Sequence, residues 1–281
     1  MCLILTSAHA GLAQAQAPIP EEQTNPHFPQ EFLEDYEEPW LRYQKDAPKQ
    51  EREFIPPTEE SLKRTQEQVQ AFDCGTVTDV PRIECEALVA LYESTNGAGW
   101  TDNTNWLLTN TVGNWDGVEV FASHVAVLNL AYNQLTGTIP SELIQLSNLT
   151  VLDLHYNQLS GTIPSELGNL LRLAILDLSH NFLSGSIPTE IGKLIQLIHF
   201  DISHNYLTGN MPPSFANLIN LCVKGDLGSP CRGVFKTDLG YNLLNVPQPN
   251  PPSDFMYVKD PDWDKTQVGR RFFNYLPVIN K

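Results

Sequence analysis

Four asparagines, Asn133, Asn157, Asn181 and Asn205, recur every 24 residues without drift. Leu135, Leu159, Leu183 and Leu207 keep the same interval, as do Gly137, Gly161, Gly185 and Gly209, and Pro140, Pro164, Pro188 and Pro212. A fixed period of this length predicts a solenoid, whose units bury their apolar faces only by stacking on one another. The unit reads L-x-L-x-x-N-x-L-[TS]-G-x-[IM]-P-x-x-[LIF]-x-x-L-x-x-L.

Each position of the unit has a physical reason. Val127-Leu-Asn-Leu-Ala-Tyr132 alternates, so it predicts a short strand with Leu128 and Leu130 inward. Equivalent strands then stack as a parallel sheet at about 4.8 Å. The turn after each strand strands backbone groups in the interior, and a buried Asn amide both donates and accepts. Asn133, Asn157, Asn181 and Asn205 are therefore expected to form a structural ladder. Gly supplies a turn conformation costly for other residues, and the Ile-Pro step keeps the outer segment extended. Leu143, Leu146 and Leu149 return to the core.

Four complete units span 127–222. Leu239, Asn242 and Leu244 then match a fifth, degenerate unit, so residues 223–265 read as a closing repeat and C-terminal cap. Residues 266–281 form a basic, aromatic tail containing Arg270-Arg271-Phe-Phe. Residues 1–17 resemble the end of an export signal, with Ala-Gln-Ala at 15–17, although no Lys or Arg precedes the apolar run. Residues 18–73 read as an acidic, Pro-rich, mostly disordered linker. Within it, Thr58 to Phe72 predicts one short polar helix. Residues 74–126 read as an N-terminal cap: a helix over 84–96 with Ala87, Leu88, Leu91 and Tyr92 on one face, followed by Trp100, Trp106 and Trp115.

Cys74 and Cys85, and Cys222 and Cys231, form two local pairs spaced 11 and 9 residues apart. In an exported chain these read as two disulfides, and the C-x2-4-C spacing of zinc sites does not occur. The chain has 17 basic and 33 acidic residues, for a formal net charge of −16. That balance disfavours nucleic acid as a partner. No run of 18 apolar residues occurs, so no membrane span is expected.

The units resemble the plant-specific class of leucine-rich repeat, marked by the L-[TS]-G-x-I-P step. The resemblance implies an α/β solenoid: a right-handed superhelix with a parallel sheet on its concave face, a helical N-terminal cap and a disulfide-stapled C-terminal cap. Residues 84–129 resemble the N-terminal cap of secreted bacterial versions of this class. The matching segments are Ala87-Leu-Val-Ala-Leu-Tyr92, Asn96-Gly-Ala-Gly-Trp100, Asn105-Trp-Leu107 and Asn114-Trp-Asp-Gly-Val118. In that cap, Cys residues often flank the Trp-x-Gly-Val step. Here Gly113 and Val120 stand at those places, which implies a lost disulfide.

The outward strand positions give the candidate ligand-binding residues. One column is Asp153, Asp177 and Asp201, with His155, Ser179 and Ser203 two positions on. Another is Tyr132, Tyr156, His180, His204 and Tyr241. Tyr and His combine rigid area with a polar tip and suit recognition, although a plain solvated face has the same sequence. His180 and His204, near Asp177 and Asp201, also allow a zinc reading, but nothing in the spacing demands metal. Neither a metal nor a cofactor is expected. The sequence lacks a Gly-x-Ser-x-Gly elbow, a His-Glu-x-x-His helix and a phosphate-binding Gly loop, and catalysis is not expected. The reading is a secreted or cell-surface monomer that binds a protein or peptide on the concave face. An inhibitor of a secreted hydrolase, similar to polygalacturonase-inhibiting proteins, is the alternative, and a metal-dependent enzyme the weakest.

Overall fold

The computed structural model describes residues 54–218, 237–239 and 242–244. The chain divides into two compact units, Met1–Gln50 and Glu51–Lys281, and all described residues lie in the second. The export-signal stretch, the acidic segment up to residue 53, Cys222, Cys231, Tyr241 and the C-terminal tail lie outside them.

Helix α1 spans Glu59–Ala71. The Thr58 hydroxyl caps it by accepting from the Ser61 N–H, and Glu59 and Glu60 sit at the positive end of the helix dipole. The polar helix expected at 58–72 is thus present, but it is not part of a disordered linker. Its buried Thr65 accepts from the Ala98 N–H at 3.0 Å, and Gln68 accepts from the Tyr92 hydroxyl at 2.8 Å. These polar contacts attach it to the following layer, so a boundary at residue 74 falls too late. An apolar stripe would have revealed the docking, and α1 has almost none.

Helix α2, Arg82–Ser94, buries Ala87, Leu88, Leu91 and Tyr92 as expected. It also buries Glu84, whose carboxylate accepts from the Val125 N–H at 2.8 Å and pairs with His124 at 2.6 Å. Tyr92, Trp100, Trp106 and Trp115 then interlock: Tyr92 stacks on Trp106 at 5.8 Å, and Trp100 meets Trp106 edge-on at 4.8 Å. Each buried indole N–H finds a carbonyl, of Thr95, Asp116 and Thr109 respectively for Trp100, Trp106 and Trp115. A disulfide joins Cys74 to Cys85 at the foot of α2. A Cβ on Gly113 would lie 3.4 Å from Val120.

Strand β1, Val118–Phe121, runs antiparallel to β2, His124–Asn129. The repeats then supply β3 (Thr136–Thr138), β4 (Val151–Asp153), β5 (Gln158–Ser160), β6 (Ile175–Asp177), β7 (Ser184–Ser186), β8 (His199–Asp201), β9 (Tyr206–Gly209), β10 (Thr237–Asp238) and β11 (Leu243–Leu244). The main sheet has the order β1-β2-β4-β6-β8-β10 and is parallel from β2 onward. Its register pairs Leu128, Leu152, Leu176 and Phe200, and beside them Asn129, Asp153, Asp177 and Asp201. Shorter pairings, β3 with β5 and β7 with β9 and β11, form a second layer across the solenoid. After each Pro the backbone makes one 3-10 turn, such as Ser165–Asn169, before it re-enters the core.

The asparagine ladder is present in detail. The Asn181 Nδ2 donates to the carbonyls of Leu154, Leu178 and Ser179 at 2.9–3.2 Å, and its Oδ1 accepts from the Leu159 N–H at 3.0 Å. Asn157, Asn205 and Asn242 repeat the pattern. Gly161 and Gly185 have φ of 76° and 78°, and a Cβ at either would lie 2.9 Å from a threonine methyl of the preceding coil. Replacing Asn181 with Ala should strand the Leu159 N–H and the Leu154 carbonyl and cost roughly 2–4 kcal/mol. Urea unfolding of the two proteins measures it, and a loss under 1 kcal/mol would contradict the ladder's role.

Candidate functional site

The residue before each ladder Asn must carry the chain off the edge of the main sheet. Tyr132, Tyr156, His180 and His204 do this in the left-handed region, with φ of 56°, 52°, 58° and 55°. That conformation is costly for a residue with a Cβ. Four successive coils adopt it because the Asn that follows fixes the turn from both sides. The four rings consequently project in the same direction and stack. Centroids are 4.5 Å apart for Tyr132–Tyr156, 3.9 Å for Tyr156–His180 and 4.0 Å for His180–His204, with planes inclined by 9–17°. The rings are half-buried. This part of the expected surface is brought together as the repeat implies.

The other expected column is not a solvated face. Asp153, Asp177 and Asp201 are 2%, 3% and 3% exposed, and His155, Ser179 and Ser203 are buried beside them. The reason lies in the backbone: each carboxylate folds onto its own strand end. The Asp153, Asp177 and Asp201 Oδ1 atoms accept from the N–H of His155, Ser179 and Ser203 at 3.2, 2.9 and 2.9 Å. Asn129 makes the same turn with Ala131. The Asp column therefore closes the strand before the left-handed residue, a role that alternation alone does not reveal.

The zinc reading of His180 and His204 does not survive the geometry. Ring nitrogens bind metal in the plane of the imidazole, and two rings stacked 4.0 Å apart present their faces to one another. The imidazoles that meet the carboxylates are His155, hydrogen-bonded through Nδ1 to Asp153 Oδ1, and His199, whose Nε2 lies 3.4 Å from Asp177 Oδ2. His199 was not among the expected site residues. It occupies a repeat position held elsewhere by Val127, Val151 and Ile175, and that break in an apolar column was its available signal.

Burial works against a charged His155 imidazole, but the carboxylates of Asp153, Asp177 and Asp201 outweigh it and push its pKa up to about 9. Burial would raise the Asp177 pKa, but the imidazoles of His155 and His199 and the Ser179 contact hold it well below the usual carboxylate range.

Residues 124–146, 148–170, 172–194 and 196–218 match the Leucine Rich Repeat family. No curated protein matches the chain. Among solved structures, a plant ice-binding protein is 27% identical with a TM-score of 0.51, covering 59% of this chain and 50% of its own. The chain thus spans about half the length of that protein. The Arabidopsis thaliana BIR3–SERK2 complex matches at 29% identity and a TM-score of 0.48, covering 62% of this chain and 87% of that one. The Arabidopsis thaliana BIR2 ectodomain matches at 32% and 0.47, covering 60% and 84%. The fold is a leucine-rich-repeat α/β solenoid. Among the described residues no helix is long and apolar enough to cross a membrane.

A defined pH dependence follows. His155 has a folded pKa of about 9 against 6.5 unfolded, so its contribution is complete below pH 6.5 and is lost as pH rises through 9. Asp177 has a depressed folded pKa, so its contribution holds above the ordinary carboxylate range and is lost as pH falls below it. Thermal midpoints should fall between pH 6.5 and 9, and His155→Gln should flatten that limb. An unchanged limb would remove the His155 assignment.

Proposed function

We propose that the chain is an extracellular recognition module that binds a protein or peptide along the ring column of the main sheet. The observation that carries this reading is the stack of Tyr132, Tyr156, His180 and His204, four rings held in one orientation by a repeated backbone turn. Such rings offer large contact area with little entropy to lose, and their hydroxyl and imidazole groups add directional bonds. Asp153, His155, Asp177, Ser179, Asp201 and Ser203 form the buried floor beside the column; Tyr241 has the same repeat position in the sequence and lies outside the described residues.

The Cys74–Cys85 disulfide supports an oxidising, extracellular setting. The likeness of residues 84–129 to caps of secreted bacterial repeat proteins, and the export-like residues 1–17, belong to the same proposal, as does a monomeric, non-catalytic state. An exported hydrolase is one class of target within it.

A second reading has its own support in the second layer. Thr138, Thr162 and Ser186 make an exposed hydroxyl column at the coil interval. Beside it, the Ser160, Ser184 and Thr208 hydroxyls donate to the carbonyls of Gly137, Gly161 and Gly185. A regular hydroxyl array on the fold of a plant ice-binding protein suits a surface for ordered water.

Two experiments separate the readings. Tyr156→Gly with His180→Gly removes two rings yet tolerates the left-handed backbone. Affinity for a partner captured from the exported fraction of the source cells should fall roughly 10–100-fold. Equal affinity would remove the ring column from the function. For ordered water, the protein should slow ice recrystallisation and Thr162→Leu should abolish the effect; ice that coarsens as in buffer ends that reading.

A further inference from the structure

The ring column leaves unexplained the ionisable groups on the floor beside it. Asp153, Asp177 and Asp201 stand in register on β4, β6 and β8. His155 lies two residues past the end of β4, and His199 precedes Asp201 on β8. All five side chains are buried. The donor atoms of Asp153, His155 and Asp177 lie within 4.8 Å of one another, and those of Asp177, His199 and Asp201 do likewise. Asp177 is common to both groups.

The strand-end turns account for Oδ1 of each carboxylate, but they need no imidazole. The repeat itself places Val127, Val151 and Ile175 where His199 stands, and Ser179 and Ser203 where His155 stands. Two coils thus exchange small or apolar residues for imidazoles at the two positions that flank Asp177. Burying ionisable groups is costly, so this substitution pattern needs a gain to offset it.

We propose that Asp153, His155 and Asp177 bind a divalent transition-metal ion of the zinc class. The donor chemistry selects the ion. Calcium and magnesium take oxygen ligands, whereas one imidazole with two carboxylates suits zinc, cobalt or manganese. The spacing is near that of a site: three donors each about 2.1 Å from one ion lie roughly 3.4–3.6 Å apart, and side-chain rotation on binding can draw in donor atoms that lie within 4.8 Å of one another. This inference does not rest on the recognition reading, since the ion would sit in the floor whether or not a peptide lies on the rings.

The test uses the full chain, freed of metal with chelator and titrated with zinc chloride by calorimetry. One ion per chain should bind saturably. His155→Gln and Asp177→Asn should each weaken binding by roughly 100-fold or more. Cobalt(II) bound to the unsubstituted protein should show intense visible bands of low coordination number, which zinc bleaches. That spectrum decides the matter even if a variant fails to fold. A flat zinc titration, or a cobalt spectrum equal to that of the hydrated ion, would mean that the five residues form an ion-pair network only. Binding that persists in His155→Gln but disappears in His180→Gln with His204→Gln would move the ion to the ring column and overturn the assignment.

Discussion

Everything in this solenoid hangs on one amide placed four times. Each coil must leave the sheet through a tight turn, and the turn exposes an N–H and several carbonyls to an interior without water. An Asn side chain answers both needs at once: Asn181 accepts from Leu159 in the coil before it and donates to Leu154 there and to Leu178 in its own. The ladder binds neighbours together as well as closing turns. The coupling acts at the turn and not through coil length: Asn242 follows Asn205 after an interval longer than 24 residues and still makes the same bonds to the coil before it. A buried group left unsatisfied at such a turn costs about 1–3 kcal/mol.

The ladder also dictates what its neighbours can do. The residue before each Asn is forced into the left-handed region, whatever its identity, so tyrosine and histidine there are strained but aligned. The residue three positions earlier in that strand caps the strand end, which Asn129, Asp153, Asp177 and Asp201 do alike. Acidity on this face thus has a structural origin. The four repeats hold six acids and two bases over 127–222, and half of those acids are drawn into the sheet floor. There they determine the protonation of His155 rather than repel or attract partners in solution.

Legibility in the sequence follows from periodicity. The strands, the Asn ladder, the glycines with positive φ and the ring column all repeat at 24 residues, and repetition makes their roles visible. The tryptophan layer and the Cys74–Cys85 pair were legible for a different reason, since large apolar residues and close cysteines have few alternatives. Two things escaped. Helix α1 docks through Thr65 and Gln68, and polar docking leaves no apolar stripe to read. The Asp column was read as outward because strand alternation predicts direction, not whether a carboxylate folds back on its own backbone. His199 is a single departure from the apolar column of Val127, Val151 and Ile175, and a repeat pattern reveals what recurs, not one exception to it.

On the proposed recognition reading, the dimensions of the ring column limit what it can hold. It advances in three centroid steps of 3.9–4.5 Å, one per coil, and each coil adds one ring. An extended peptide rises about 3.3 Å per residue. A ligand lying along the column therefore falls out of step with the rings and aligns with them over only three or four residues. Longer matching would need either more coils or a partner with its own repeat. The column is thus suited to one short epitope, an aromatic or charged group seated against stacked rings. Selectivity would come from the change midway along it, where two phenols give way to two imidazoles. That change sets phenol hydroxyls at one end of the column and imidazole nitrogens at the other. A ligand crossing the junction between Tyr156 and His180 would meet both surfaces within one ring spacing.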